Sequence, residues 1–194
     1  MEQTELNQRL SAMFKEMLLV LESAKKGYST GNQMTLTEAE TKLTSLLTSN
    51  LLFTEGLVKK KTKDEVEKKY LTLLPHLQLM AVTVRNLINE KKKKIESKHL
   101  LTDKAVNEIK ELFTLMQTQC EDTADYILTR NPHLRMHIRT GMESLFDRAD
   151  DYVTEHQVRL IAGVCMPKAS YLYLAIVDCI KDVSRELASF SEKL

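Results

Sequence analysis

The chain has 194 residues, 43% hydrophobic and 28% charged, which suits one soluble unit or two halves sharing a core. Lysine and arginine total 28 against 27 acids, and the resulting net charge of +1 argues against chain-wide binding of a polyanion. Five Gly, three Pro, no Trp and 6% aromatics argue against sandwiches, barrels and Gly-rich phosphate loops, and for a protein made mostly of helix.

The polar, acidic start Met1-Glu2-Gln3-Thr4-Glu5 is unlike a secretory signal. Apolar residues then recur at steps of three and four almost throughout, the helical period. A first helix carries Leu6, Leu10, Met13, Met17, Val20 and Leu21 and stops near Gly27 and Gly31. A second begins around Thr35 or Thr37, with Glu38 and Glu40 favourably placed in its first turn, and fades at Gly56. The third runs from about Thr62 to Lys98, with a kink or break expected at Pro75. Thr102-Asp103 caps a fourth helix that carries Ile109, Leu112, Phe113, Met116, Cys120 and Ile127. Asn131-Pro132 starts a fifth, ending at Gly163, and Pro167 opens a sixth that extends to Phe190. The longest apolar patches, Met17 to Leu21 and Tyr171 to Val177, fall well short of the roughly 18 to 20 residues of a membrane span. An all-α six-helix bundle is the fold expected.

The two halves resemble each other. Phe14-Lys15-Glu16-Met17 lies 99 residues before Phe113-Thr114-Leu115-Met116, and Val84-Arg85-Asn86-Leu87 lies 100 before Ser184-Arg185-Glu186-Leu187. Two three-helix repeats follow, one over 1–98 and one over 99–194. Charge is uneven: Val58 to Lys98 is net +7 and the remainder −6. The runs Lys59-Lys60-Lys61 and Lys91-Lys92-Lys93-Lys94 bracket the third helix, as a solvated face with frayed ends or as a contact for anionic lipid or an acidic partner. Without interleaved aromatics, nucleic acid is not an expected partner.

For chemistry, acids four apart share a helix face, and two such pairs on neighbouring helices can surround a hard cation. Glu143 with Asp147 and Asp178 with Asp182 form such a set, the latter pair interrupting the apolar run Leu172 to Ile180. A solvated flank with Lys181 and Arg185 as partners is the alternative. His133 and His137 lack the Glu of a zinc H-E-x-x-H motif, and Glu96-Ser97-Lys98-His99 is a lone E-x-x-H where a di-iron bundle needs two. His156 lies on the apolar face of its helix. Cys120, Cys165 and Cys179, an odd number without metal-finger spacing, read as structural thiols of a reduced compartment. No G-x-S-x-G or phosphate-binding loop occurs, so no catalytic residue is assigned.

The run His156-Gln157-Val158-Arg159-Leu160, followed by Gly163, Cys165 and the helix from Ser170 to Leu187, resembles the PhoU-like domain, in the form found at the cytoplasmic end of bacterial sodium–phosphate cotransporters. Asp178-Cys179-Ile180-Lys181-Asp182 stands at the family's acid-x-x-x-acid motif, and Glu143-Ser144-Leu145-Phe146-Asp147 is similar to its upstream partner. Departures are Cys179 for the motif's arginine, Val183 for a histidine, and Gln78, Val82 and Thr44 at first-half acid positions. The resemblance implies a divalent or iron-type ion held by Glu143, Asp147, Asp178 and Asp182. It implies a non-catalytic regulatory or accessory role in phosphate transport at the inner face of the cell membrane. The partner it implies is a membrane phosphate transporter, in cis or in trans; the lysine runs add the anionic membrane surface, and a second copy of the chain is a further expected partner. The competing expectations are a metal-dependent helical-bundle enzyme using the same four acids, and a bundle for protein interaction unconnected with phosphate.

Overall fold

The computed structural model describes residues 2–96 and 101–194, and every regular element among them is a helix. The order is α1 Gln3–Thr30, α2 Gln33–Lys59, α3 Glu65–Glu96, α4 Asp103–Thr129, α5 Pro132–Ile161 and α6 Pro167–Lys193. The chain is an all-α six-helix bundle, as its periodicity predicts. The 98/99 boundary between the halves, and His99 of the lone E-x-x-H, lie outside the described residues.

Local chemistry sets the helix ends. Gly31 closes α1 in the left-handed region at φ 63, where a residue with a Cβ is strained. Asn32 then accepts from the N–H groups of Met34 (2.9 Å) and Thr35 (3.2 Å), so α2 begins at Gln33, earlier than Thr35 or Thr37. Gly27 is not an end: it lies inside α1, where a Cβ would sit 2.6 Å from Leu36 Cγ. The α3 start falls at Glu65 instead of Thr62 because Asp64 and Glu67 cap each other. The Glu67 N–H donates to Asp64 Oδ1 (2.8 Å), and the Asp64 N–H to Glu67 Oε2 (3.1 Å).

No break occurs at Pro75; α3 continues through it. Pro75 withholds the N–H that the Leu71 carbonyl would accept. Yet Tyr70 and Leu73 before it, and Met80, Val84 and Leu87 after it, are buried in one core, so packing holds both stretches in a single helix. Thr102 accepts from the Ala105 N–H (3.3 Å) and Asn131 from the His133 N–H (3.0 Å), as expected at the starts of α4 and α5. The α5 helix ends at Ile161, two residues before Gly163, which carries φ 71.

All six helices contribute to one large apolar core, and Tyr126, Ile138 and Ala188 form a small second cluster. Its ring contacts join distant segments: Phe14 meets Phe190 at 4.9 Å between centroids, and Tyr28 meets Phe113 at 5.5 Å. The α1 helix packs on α2, α3 and α4; α6 packs on α3, α4 and α5; and α2–α3 and α4–α5 complete the contacts. Both α1–α4 and α3–α6 run antiparallel, since Tyr28 faces Phe113 while Asn7 binds Arg130, and His76 meets Glu186 at 2.6 Å while Glu90 lies near Cys179. One end of the bundle therefore gathers the α1–α2 turn, the start of α4 and the α5–α6 turn. A window within Glu65–Lys93 is long and apolar enough by composition to cross a membrane, and here its Tyr70, Leu73, Val84 and Leu87 are core side chains.

Candidate functional site

The four acids singled out in the second half lie on the outer flank of α5 and α6. Glu143, Asp147 and Asp178 are exposed and Asp182 is half-buried. The α6 stripe of Ile176, Val177, Ile180 and Val183 faces the core, and positions 178 and 182 fall on its outer side, so neither carboxylate bears the penalty of full burial. Asp182 pairs with Arg185 at 2.5 Å, and Arg139 lies 3.4 Å from Glu143. Lys181 and Arg185 stand over the Phe146 ring at 4.8 and 5.3 Å from its centroid, and Lys181 also reaches Asp150 at 2.7 Å. Among the described residues no three His, Cys, Asp or Glu side chains gather where they could hold a metal ion. As placed, Glu143 and Asp182 have arginine partners, and Asp147 and Asp178 are exposed to solvent. Burial, with Asp182 and Asp178 adding to it, pushes the Cys179 thiol up to about 11, away from reactivity.

The buried polar centre lies elsewhere, at the base of the α5–α6 turn. Glu108 on α4 is 3% exposed, and the Arg159 guanidinium donates to both of its oxygens at 2.9 and 2.7 Å. The Tyr173 hydroxyl donates to the same carboxylate at 2.7 Å. A paired, multiply hydrogen-bonded carboxylate of this kind fixes three helices relative to one another. His156 stacks on Tyr173 at 4.2 Å, and neither of its ring nitrogens has a hydrogen-bond partner. Burial, then the nearby Arg159 charge, holds its pKa below the ordinary value, so the imidazole is kept neutral. The sequence places His156 on the apolar face but misses Glu108. The signal was there: Glu108 shares the buried stripe of Ala105, Ile109, Leu112 and Met116, an unusual place for a carboxylate.

The lysine run at the end of α3 is mostly engaged. Lys91 is buried above the Tyr28 ring, at 5.3 Å, and burial lowers its pKa. Lys92 binds Glu40 at 2.7 Å and Lys93 binds Glu90 at 3.1 Å. Of the other run, Lys60 binds Glu67 at 2.7 Å. The two runs sit at opposite ends of α3, roughly 45 Å apart along a helix of 32 residues, and do not form one patch. His137 is exposed and meets Asp122 at 2.6 Å, and His133 is exposed beside it on α5.

Two apolar features complete the picture. At the α5–α6 turn, Val158, Ile161, Val164, Met166 and Tyr171 are all exposed, Ile161 to 89%. Between α1, α2 and α3 lies an apolar cavity of about 220 Å³. No protein-family model matches the sequence, and no curated protein matches it either.

Proposed function

We propose that the chain is a non-catalytic regulatory or accessory domain of the PhoU-like kind, acting on a sodium–phosphate cotransporter from the cytoplasmic side. The observation that carries this reading is how the helices pair. Exchanging α1 with α4, α2 with α5 and α3 with α6 turns every observed helix contact into another observed contact. The contacts between halves, α1–α4 and α3–α6, then join like to like. That is the pairing two similar three-helix units make across a twofold axis. The sequence matches at offsets of 99 and 100 residues fall on the same helix pairs, α1 with α4 and α3 with α6.

Such a domain works by contact. The exposed apolar residues at the α5–α6 turn offer docking surface, since grouped apolar side chains on a rigid support commonly mark an interface. The support is the Glu108–Arg159–Tyr173 network, which ties the last turn of α5 and the start of α6 to α4. Uptake of inorganic phosphate, measured in cells making the transporter with the wild-type chain, without it, and with an Ile161→Glu, Val164→Glu double variant, tests the reading. The chain should change uptake and the variant, if helical by circular dichroism, should not. Equal uptake with and without the wild-type chain rejects the role.

A further inference from the structure

We infer that the half-open cavity lined by α1, α2 and α3 is a binding site for a small, uncharged, apolar ligand, independent of any transport role. Its walls are Phe14 and Met17 from α1, Leu46 and Leu47 from α2, and Met80 and Ala81 from α3. Phe14, Met80 and Ala81 are each 2% exposed, so the floor is core and the opening lies between α2 and α3. No charged side chain lines it. The polar groups present serve one another: the Tyr70 and Thr54 hydroxyls pair at 3.1 Å, and the Asn50 amide donates to the Leu46 carbonyl at 2.7 Å. Gln78 stands exposed at the rim. Walls of this kind offer dispersion contact and exclude charge.

The size sets the ligand class. An apolar cavity of about 150 Å³ stays dry and takes benzene. At about 220 Å³ this one suits an apolar molecule of roughly six to nine non-hydrogen atoms. Methionines at 13, 17 and 80 give the walls the adaptability of thioether side chains. The gap has a sequence origin: between Leu46 and Leu57, α2 contributes no fully buried side chain. On α5 of the second half, by contrast, Phe146 is partly buried against the core, with Lys181 and Arg185 over its ring.

The test uses the intact chain labelled at its methionine methyl groups and titrated with p-xylene, with benzoate as a charged control of similar size. Saturable shifts confined to Met13, Met17 and Met80 are expected, with Met136 and Met166 unmoved and benzoate without effect. A Leu47→Phe variant, which puts a larger side chain into the space Leu47 lines, should weaken p-xylene binding at least tenfold. No shift at the three wall methionines overturns the site, as do equal shifts at the exposed ones or unchanged affinity in Leu47→Phe. Binding of benzoate as tight as that of p-xylene overturns the ligand class. Should Leu47→Phe fail to fold, the wild-type titration decides alone.

Discussion

His156 shows what one side chain can impose on the protein's response to acid. Its imidazole is buried against Tyr173, with Arg159 near and Glu108 pulling the other way, and its pKa is held below the ordinary value by burial first. In the unfolded chain a histidine takes its proton near pH 6.5. Below that pH the unfolded state therefore binds more protons than the folded one, and stability falls as pH drops toward the lower folded pKa; above it the contribution is complete. The urea midpoint should fall between pH 7 and pH 5, and His156→Phe, which keeps the stacked ring, should flatten the fall. The His76–Glu186 pair is common to both proteins and cancels in the comparison. Parallel pH profiles would refute the assignment. Periodicity identifies the face on which His156 lies, but its partners come from α4 and α6, and no spacing within α5 names them. The same limit applies to Asp178 and Asp182: a step of four puts two acids on one face without saying whether that face turns inward.

At the scale of elements, close approach between helices is the sharper constraint. Gly27 lets α1 pass beside Leu36, which is fully buried, and an added Cβ would meet its Cγ at 2.6 Å and its Cδ2 at 2.7 Å. Overpacking of this sort costs about 1–3 kcal/mol, offset in part by the roughly 1 kcal/mol that alanine gains over glycine within a helix. Gly27→Ala should lower stability by up to about 2 kcal/mol in urea denaturation, and a stabilised variant would mean that Leu36 swings clear. Read alone, Gly27 looks like a helix end, because local propensity cannot see the helix that packs against it. Helix starts were more legible where side-chain chemistry decides them, as at Thr102 and Asn131. They were missed at Asn32 and at the Asp64–Glu67 pair, where the cap lies outside the apolar pattern. Pro75 shows the reverse case: the helix runs on without a break there, with buried residues on both sides of it.

In the whole molecule the six helices were legible from periodicity alone, whereas their arrangement, the cavity and the apolar turn depend on which helices meet. The halves do not own separate cores: Phe14 packs on Phe190, Tyr28 on Phe113, and Cys120 approaches the Phe14 carbonyl at 3.7 Å. A shared core unfolds as a unit. Far-ultraviolet circular dichroism and tyrosine fluorescence should therefore trace one coincident transition, and two separated transitions would show the halves to be independent. Arg130 adds a geometric constraint at the other end of the bundle. Its guanidinium donates to Asn7 Oδ1 at 2.8 Å and to the Leu194 carbonyl at 2.9 Å, so the start of α1 and the end of α6 meet at one residue. Any polypeptide tethered to either terminus would leave from that end, with the hydrophobic α5–α6 tip held at the far end of a lever ~40 Å long, the length of the 27-residue α6. The geometry thus sets the tip and the two chain ends at opposite poles of the bundle.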